Sequence, residues 1–296
     1  MSFAPSFEHL QRLRVLPVAP HVLHVELHRP EKMNALDLVF WEEIKLCFEM
    51  IKQDVDTRAV LLSGAGHLFC SGLDLKTALS IFSSDAAQDV ARRALKIRNF
   101  GKMWQDAFTS IEMCGKPVIA CLHGAVLGAG LELVAACDIR FCTSDASFKL
   151  AEVDIGLASD VGGLQRLPKI IGNQRSPCSS LRSLVRELAL SGRQMLGSEA
   201  FQHGLVSRIF DTKEAMMSEG LALCQSIASK SPIATLGIKE FLNYTRDNSV
   251  KDSLEYAITW NMSMLQGSDL AIATASMVQK SLPEYENLPG AKQSKL

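Results

Sequence analysis

Hydrophobic and polar positions along this chain follow two periods. In HVLHVELHRP, His21 to Pro30, apolar residues alternate with polar ones, which predicts a strand stopped by Pro30. In FWEEIKLCFEMIKQD, Phe40 to Asp54, they recur at three and four, which predicts an amphipathic helix, and RAVLLSGAG, Arg58 to Gly66, reads as a buried strand ending in glycines. A charge-mixed helical stretch spans Ala86 to Ile111. Lys116 to Thr143 then reads as strand, glycine-rich turn, helix from about Ala129, and strand. This repeated strand-to-helix design predicts an α/β main body over residues 1–197. From about Ser198 the pattern is helical to the end, so residues 198–296 form a second, helical region. That region carries more apolar face than one helix layer on its own body needs, and oligomerisation accounts for the excess.

Composition narrows the function classes. With 296 residues, 47% of them hydrophobic, and no long Ser/Gly/Pro-rich linker, the chain has the makings of one sizeable core. A formal net charge of −1 supplies no overall field for nucleic acid. One local basic run exists, Arg166, Lys169, Arg175, Arg182, Arg186 and Arg193, with Glu187 as its single acid; it reads as a solvated face with an arginine or two near an anionic ligand. Eight cysteines show no C-x-x-C spacing and predict buried, reduced thiols. His24 and His28 share one strand face and read as a solvent-facing pair rather than a metal site. The apolar stretch Pro117 to Leu131 is too short and too rich in glycine to span a membrane. The amino-terminal residues lack the apolar core of a secretory signal, whereas the chain ends in Ser294-Lys295-Leu296, the address read by the peroxisomal import receptor.

Candidate chemistry gathers in three segments. Gly128-Ala129-Gly130 sits between an apolar strand and a helix, so its amides lie at a helix amino terminus where an anion or a developing oxyanion is stabilised. FCSGLDL, Phe69 to Leu75, is a second glycine-containing turn after a buried strand, and two such turns can aim two N–H groups at one point. KLAEVDIGLASD, Lys149 to Asp160, sets Glu152, Asp154 and Asp160 in an otherwise mostly apolar run.

These segments, together with RPEKMNAL (Arg29 to Leu36), SGAGHLFCSGLDL (Ser63 to Leu75), KPVIACLHGAVLGAGLELVAACDIRF (Lys116 to Phe141) and GLQRLPKIIG (Gly163 to Gly172), resemble the crotonase, or enoyl-CoA hydratase/isomerase, superfamily over nearly the whole chain. KEFLNYTRDNSV, WNMSMLQGSDL and EVDIGLASDVGGLQRLP resemble the branch that isomerises dienoyl thioesters. The resemblance implies a crotonase (ClpP-like) spiral of ββα repeats with a C-terminal helical oligomerisation region, assembled as a trimer or a hexamer of two trimers. It implies oxyanion-hole amides at Leu73 and Ala129, and acid/base carboxyls at Glu132, Glu152 and Asp160. It further implies substrate contacts around Arg29, Ser71, Gly72, Asp74 and Gly128, with coenzyme A as part of a fatty acyl-CoA substrate and no metal or redox cofactor. The expected reaction converts a 3,5-dienoyl thioester to the 2,4-dienoyl isomer in beta-oxidation of unsaturated chains. Carbon 2 loses a proton near Glu152 and carbon 6 gains one near Asp160, sites too far apart for one side chain to serve.

Two departures from that branch stand out. Its members carry Asp where this chain has Glu132; Glu there is the hydratase pattern, which with Glu152 would flank a water for addition to a 2-enoyl bond. The segment RSPCSSLR, Arg175 to Arg182, reads as an insertion. A 2-enoyl-CoA hydratase using Glu132 and Glu152 is therefore the alternative reading, and a non-catalytic acyl-CoA- or RNA-binding homologue is the alternative from another class. Asp154 reads as a structural partner for a nearby arginine.

Overall fold

The computed structural model describes residues 6–83, 89–171 and 181–289. It opens with a hairpin of β1 (Leu13–Ala19) and β2 (Val22–Leu27), closed by His21 in the left-handed region. β1 escaped the sequence reading, although Leu13 and Val15 alternate with arginine. Pro30 does not itself end β2; it starts a single 3-10 turn after the strand has stopped at Leu27. α1 (Leu38–Gln53) is capped by Asp37, whose carboxylate accepts from the Phe40 amide at 3.0 Å, and it buries Phe40, Trp41, Ile44, Cys47, Phe48 and Ile51 at helical spacing.

β3 (Ala59–Gly64) leads to α2 (Leu75–Ser83) and the long α3 (Val90–Glu112); β4 (Val118–Leu122), β5 (Ala125–Leu127), α4 (Ala129–Ala135), β6 (Ile139–Thr143) and β7 (Ser147–Lys149) follow. α5 (Gly163–Ile170), α6 (Leu181–Ser191), β8 (Met195–Leu196), α7 (Gly197–Gln202), β9 (Arg208–Phe210) and α8 (Lys213–Ala228) complete the body. A six-stranded sheet runs β1-β2-β3-β4-β6-β9, parallel from β2 onward, and a three-stranded sheet runs β5-β7-β8. Two successive turns of the chain, β4 to β5 and β6 to β7, each place one strand in the large sheet and the next in the small one. This is the crotonase spiral.

The central strands are apolar on both faces because both are covered. Val60, Leu62, Val118, Ala120 and Leu122 face the main core with α1 and α3, while Leu61, Ile119, Cys121 and Phe141 meet Met216, Cys224 and Ala228 of α8. The expectation of helix alone after Ser198 is thus corrected by β9, a three-residue edge strand too short to show a period. The seven described cysteines are free and buried; Cys178 lies outside the described residues.

Three further helices, α9 (Pro232–Asp247), α10 (Val250–Met264) and α11 (Ser268–Gln279), form the C-terminal layer. α9 is pinned by Lys239, whose buried ammonium donates to Asp138 at 2.8 Å, to the Lys116 carbonyl at 2.9 Å and to the Ile111 carbonyl at 3.2 Å. α10 and α11 bury none of their residues in the single chain, and Leu254, Ile258, Met262, Leu270 and Met277 stand exposed. Arg58 ties the last described segment back to the body, donating to the Tyr285 carbonyl and to Asn287 Oδ1, both at 2.7 Å.

Candidate active site

The site is assembled around Asn34. This residue is fully buried with positive φ, and its amide donates to the carbonyls of Ala65 and Phe69, both at 2.9 Å, and of Leu68 at 3.2 Å. It holds the glycine-rich chain after β3 in a fixed course, and that course delivers Leu73 to the cavity. Arg29 completes the frame: its guanidinium donates to Asp74 at 2.8 Å and to the Ala35 carbonyl at 2.8 Å, and lies 3.4 Å from Asp37. Burial alone would raise the Asp74 carboxyl, but hydrogen bonds from Arg29 and from the Thr77 and Lys76 amides bring it below the ordinary range. Arg29 is therefore committed to two carboxylates within the fold, at the wall of the cavity.

The two turns proposed from sequence meet. A Cβ on Gly72, where φ is +90°, would lie 2.8 Å from the Leu127 carbonyl oxygen and 3.6 Å from the Ala129 nitrogen, so only glycine lets the loops approach this closely. The Leu73 and Ala129 amides have no hydrogen-bond acceptor among the described residues. Ala129 opens α4, so its N–H adds the positive end of that short helix.

A cavity of about 850 Å³ opens beside these amides, lined among others by Leu73, Ala129, Glu132, Glu152 and Asp160. All of the expected substrate contacts, Arg29, Ser71, Gly72, Asp74 and Gly128, also border it. Its apolar walls come from Ile155, Leu157, Val161, Trp41 and Trp104, the two indoles stacking at 5.4 Å. Lys32 and Lys76 stand at its exposed border, and neither forms an ion pair among the described residues. The tryptophans and Lys32 carry no signal in the sequence beyond ordinary core and surface, whereas Lys76 belongs to the Ser71 to Lys76 turn already expected to border the substrate.

The three carboxyls have distinct environments. Glu132, on α4, is 1% exposed; its Oε1 accepts from the Ser159 hydroxyl and from the Gly163 amide at 2.8 Å. Burial and the neighbouring Glu152 push its pKa up to about 7, against the pull of those two donors. Glu152 starts a 3-10 turn, and its Oε2 is buried without a hydrogen-bond partner among the described residues. Burial, then Asp160, raises its pKa. Asp160 follows the turn at a more open position, bordering both the main cavity and a smaller polar one, and burial raises it too. Carboxyls that are apart in sequence but shifted the same way by a common apolar surrounding are suited to proton transfer near neutrality.

Asp154 lies on the same 3-10 turn but salt-bridges Lys149 at 2.6 Å; its expected arginine partner is corrected to a lysine, because the turn carries it away from Glu152. His24 is likewise corrected: its ring is partly buried against the Ser63 hydroxyl at 2.8 Å, while His28 contacts Glu26 at 3.2 Å. Three members of the basic run are neutralised, Arg166 by Glu112, Lys169 by Asp247, and Arg193 by Glu187 and Glu199. Arg175 and most of the Arg175 to Arg182 insertion lie outside the described residues, as do Ser294, Lys295 and Leu296. Among the described residues no helix is long and apolar enough to cross a membrane, and no three His, Cys, Asp or Glu side chains are grouped as metal ligands.

A crotonase spiral with paired loop amides and carboxyls around one apolar cavity defines an acyl-thioester enzyme of the acid–base type. The chain belongs to the enoyl-CoA hydratase/isomerase family, whose model matches residues 19–287. It is 49% identical over 270 residues to a mouse (Mus musculus) protein named Delta(3,5)-Delta(2,4)-dienoyl-CoA isomerase, mitochondrial, covering 91% of this chain and 80% of that one. It is 40% identical to the Arabidopsis thaliana protein of the same activity named as peroxisomal, covering 90% and 93% respectively. The crystal structure of an enoyl-CoA hydratase from Bacillus anthracis superposes with a TM-score of 0.80 at 28% identity, covering 93% of this chain and 99% of that one.

Proposed function

We propose that this chain is a dienoyl-CoA isomerase that converts 3,5-dienoyl-CoA to 2,4-dienoyl-CoA. The observation that carries the reading is the presence of three carboxyls, Glu132, Glu152 and Asp160, in one cavity beside two unpartnered amides. In this reading the thioester oxygen lies between the Leu73 and Ala129 N–H groups, which stabilise the enolate as it forms; losing one such donor costs about 3 kcal/mol of transition-state stabilisation. Glu152 takes the carbon-2 proton and Asp160 delivers one to carbon 6, and burial raises both carboxyls above their ordinary range. The acyl chain follows the Trp41 and Trp104 wall, and Lys32 and Lys76 meet the phosphates of coenzyme A, which belongs to the substrate. Donors and carboxylates suffice for this chemistry, so the reading calls for no further cofactor.

Glu132 beside Glu152 supports hydration of a 2-enoyl-CoA as the second reading. A paired assay separates them. The first reading predicts rapid growth of the conjugated 2,4-dienoyl absorbance from a 3,5-dienoyl-CoA and slow loss of the enoyl band from a 2-enoyl-CoA; the reverse would make Glu132 and Glu152 a hydratase pair.

The terminal Ser294-Lys295-Leu296 supports a peroxisomal location through the import receptor, and the exposed apolar faces of α10 and α11 support a homotrimer or a hexamer of two trimers. A fluorescent fusion that leaves the carboxyl end free should reach peroxisomes, and removal of the last three residues should abolish this.

A further inference from the structure

The product of this reaction is itself open to attack. The isomerisation creates a double bond between carbons 2 and 3, conjugated with the carbonyl of the 2,4-dienoyl thioester. Water held between two carboxyls adds across that bond, its oxygen to carbon 3 and a proton to carbon 2. Glu132 and Glu152 line the same cavity, so the site holds both groups this side reaction needs.

Glu132 is, however, tightly held. Its Oε1 receives two donors, the Ser159 hydroxyl and the Gly163 amide at 2.8 Å, which fill both lone-pair positions of that oxygen. The fit is closed sterically as well. A Cβ on Gly163 would lie 2.7 Å from Glu132 Cγ, 2.7 Å from Oε1 and 2.9 Å from Ser159 Oγ, so glycine at the start of α5 is what makes room for this longer side chain. Ser159 is itself buried, and Glu132 Oε2 has no hydrogen bond among the described residues.

We infer that Ser159 and Gly163 are positioning residues that lock Glu132 against the start of α5 and thereby keep the site from hydrating its own product. This specificity rests on the isomerase reading above. Both donors favour the carboxylate and weaken it as a base, and turning the carboxyl group so that Oε1 leaves the start of α5 would break two hydrogen bonds in a buried place. The charges acting on Glu132 are the carboxyls of Glu152 and Asp160; Arg166, on the same helix as Gly163, is turned to Glu112 at 2.9 Å. Among the described residues no cation stands in for the serine.

The test incubates purified protein with a 3,5-dienoyl-CoA and follows, by absorbance and by mass, first the 2,4-dienoyl product and then its adduct with one water. Ser159→Ala should raise the ratio of hydration to isomerisation about tenfold, the size of one lost hydrogen bond to a charged group. The pH midpoint of hydration should move above about 7, and adding Glu132→Gln should remove the gain. Ser159→Thr, which keeps the hydroxyl, should stay near the wild-type ratio, while Gly163→Ala should raise it by an independent route. An unchanged ratio in both Ser159→Ala and Gly163→Ala, or a parallel fall of both rates with no shift of midpoint, overturns the inference. So does wild-type protein that hydrates its product as fast as it forms. Wild-type protein that makes no 2,4-dienoyl product refutes the isomerase reading instead.

Discussion

Gly128 and Glu152 are fitted to one another: a Cβ on Gly128 would stand 2.8 Å from Glu152 Oε1. The glycine, at φ +49° and ψ −122°, lets the backbone turn into α4 and leaves the hollow that the carboxylate fills. Gly128→Ala should therefore lower kcat for dienoyl isomerisation about a hundredfold by moving Glu152, the scale on which a misplacement of about an ångström acts. Steady-state kinetics should show kcat falling more than KM rises.

Asp160 and Glu132 should separate cleanly by neutral amide substitution. Asp160→Asn removes the group assigned to carbon 6 and should reduce isomerisation at least about a hundredfold, as for loss of a general acid. Glu132→Gln keeps the acceptor for Ser159 and Gly163 and should cost less than about tenfold. Isomerisation that survives Asp160→Asn would send the assignment elsewhere.

The raised pKa of Glu132 has a sign for stability. Its folded value of about 7 lies above the ordinary 4.5, so between these limits the folded state binds more protons than the unfolded one. Stability then falls as pH rises from about 4.5 to about 7, by up to about 3 kcal/mol from this group. Glu132→Gln should remove that part of the slope and raise Tm above pH 7 relative to wild type, measured by thermal unfolding at pH 5 and pH 8.

The apolar faces of the C-terminal layer should be where protomers meet. Leu254 and Ile258, 66% and 65% exposed in the single chain, lie four apart on α10. Ile258→Glu places a charge in that face and should shift the protein from trimer or hexamer to monomer in sedimentation velocity. An unchanged distribution would put the interface on another surface.

What the sequence revealed follows physical range. α1 and the central strands were legible because Phe40, Trp41, Ile44 and Phe48, or Val60 and Leu62, satisfy a local period and face a single core. The carboxyls Glu152 and Asp160 stood out because acids are costly in an apolar run. β9 was hidden by its three residues, and the Asp154 partner was set by a 3-10 turn too short to show a period of its own. Ser159 and Gly163 carry no local signal at all, and Trp41 and Trp104 signal only a place in the core. Each matters through what the fold places opposite it, and in the chain they look like a serine in a loop, a helix start and two core aromatics.

The buried thiols give the molecule a property unrelated to its chemistry. Burial pushes Cys70, Cys137, Cys142 and Cys224 up to about 12, and it raises Cys47, Cys114 and Cys121 as well, so hardly any thiolate exists at neutral pH. They are distributed from α1 through β4 and β6 to α8, across both faces of the main sheet. An alkylating reagent can reach these sulfurs only when the body opens. The rate at which they are modified is thus a clock for that opening, built into the chain and read without any added label.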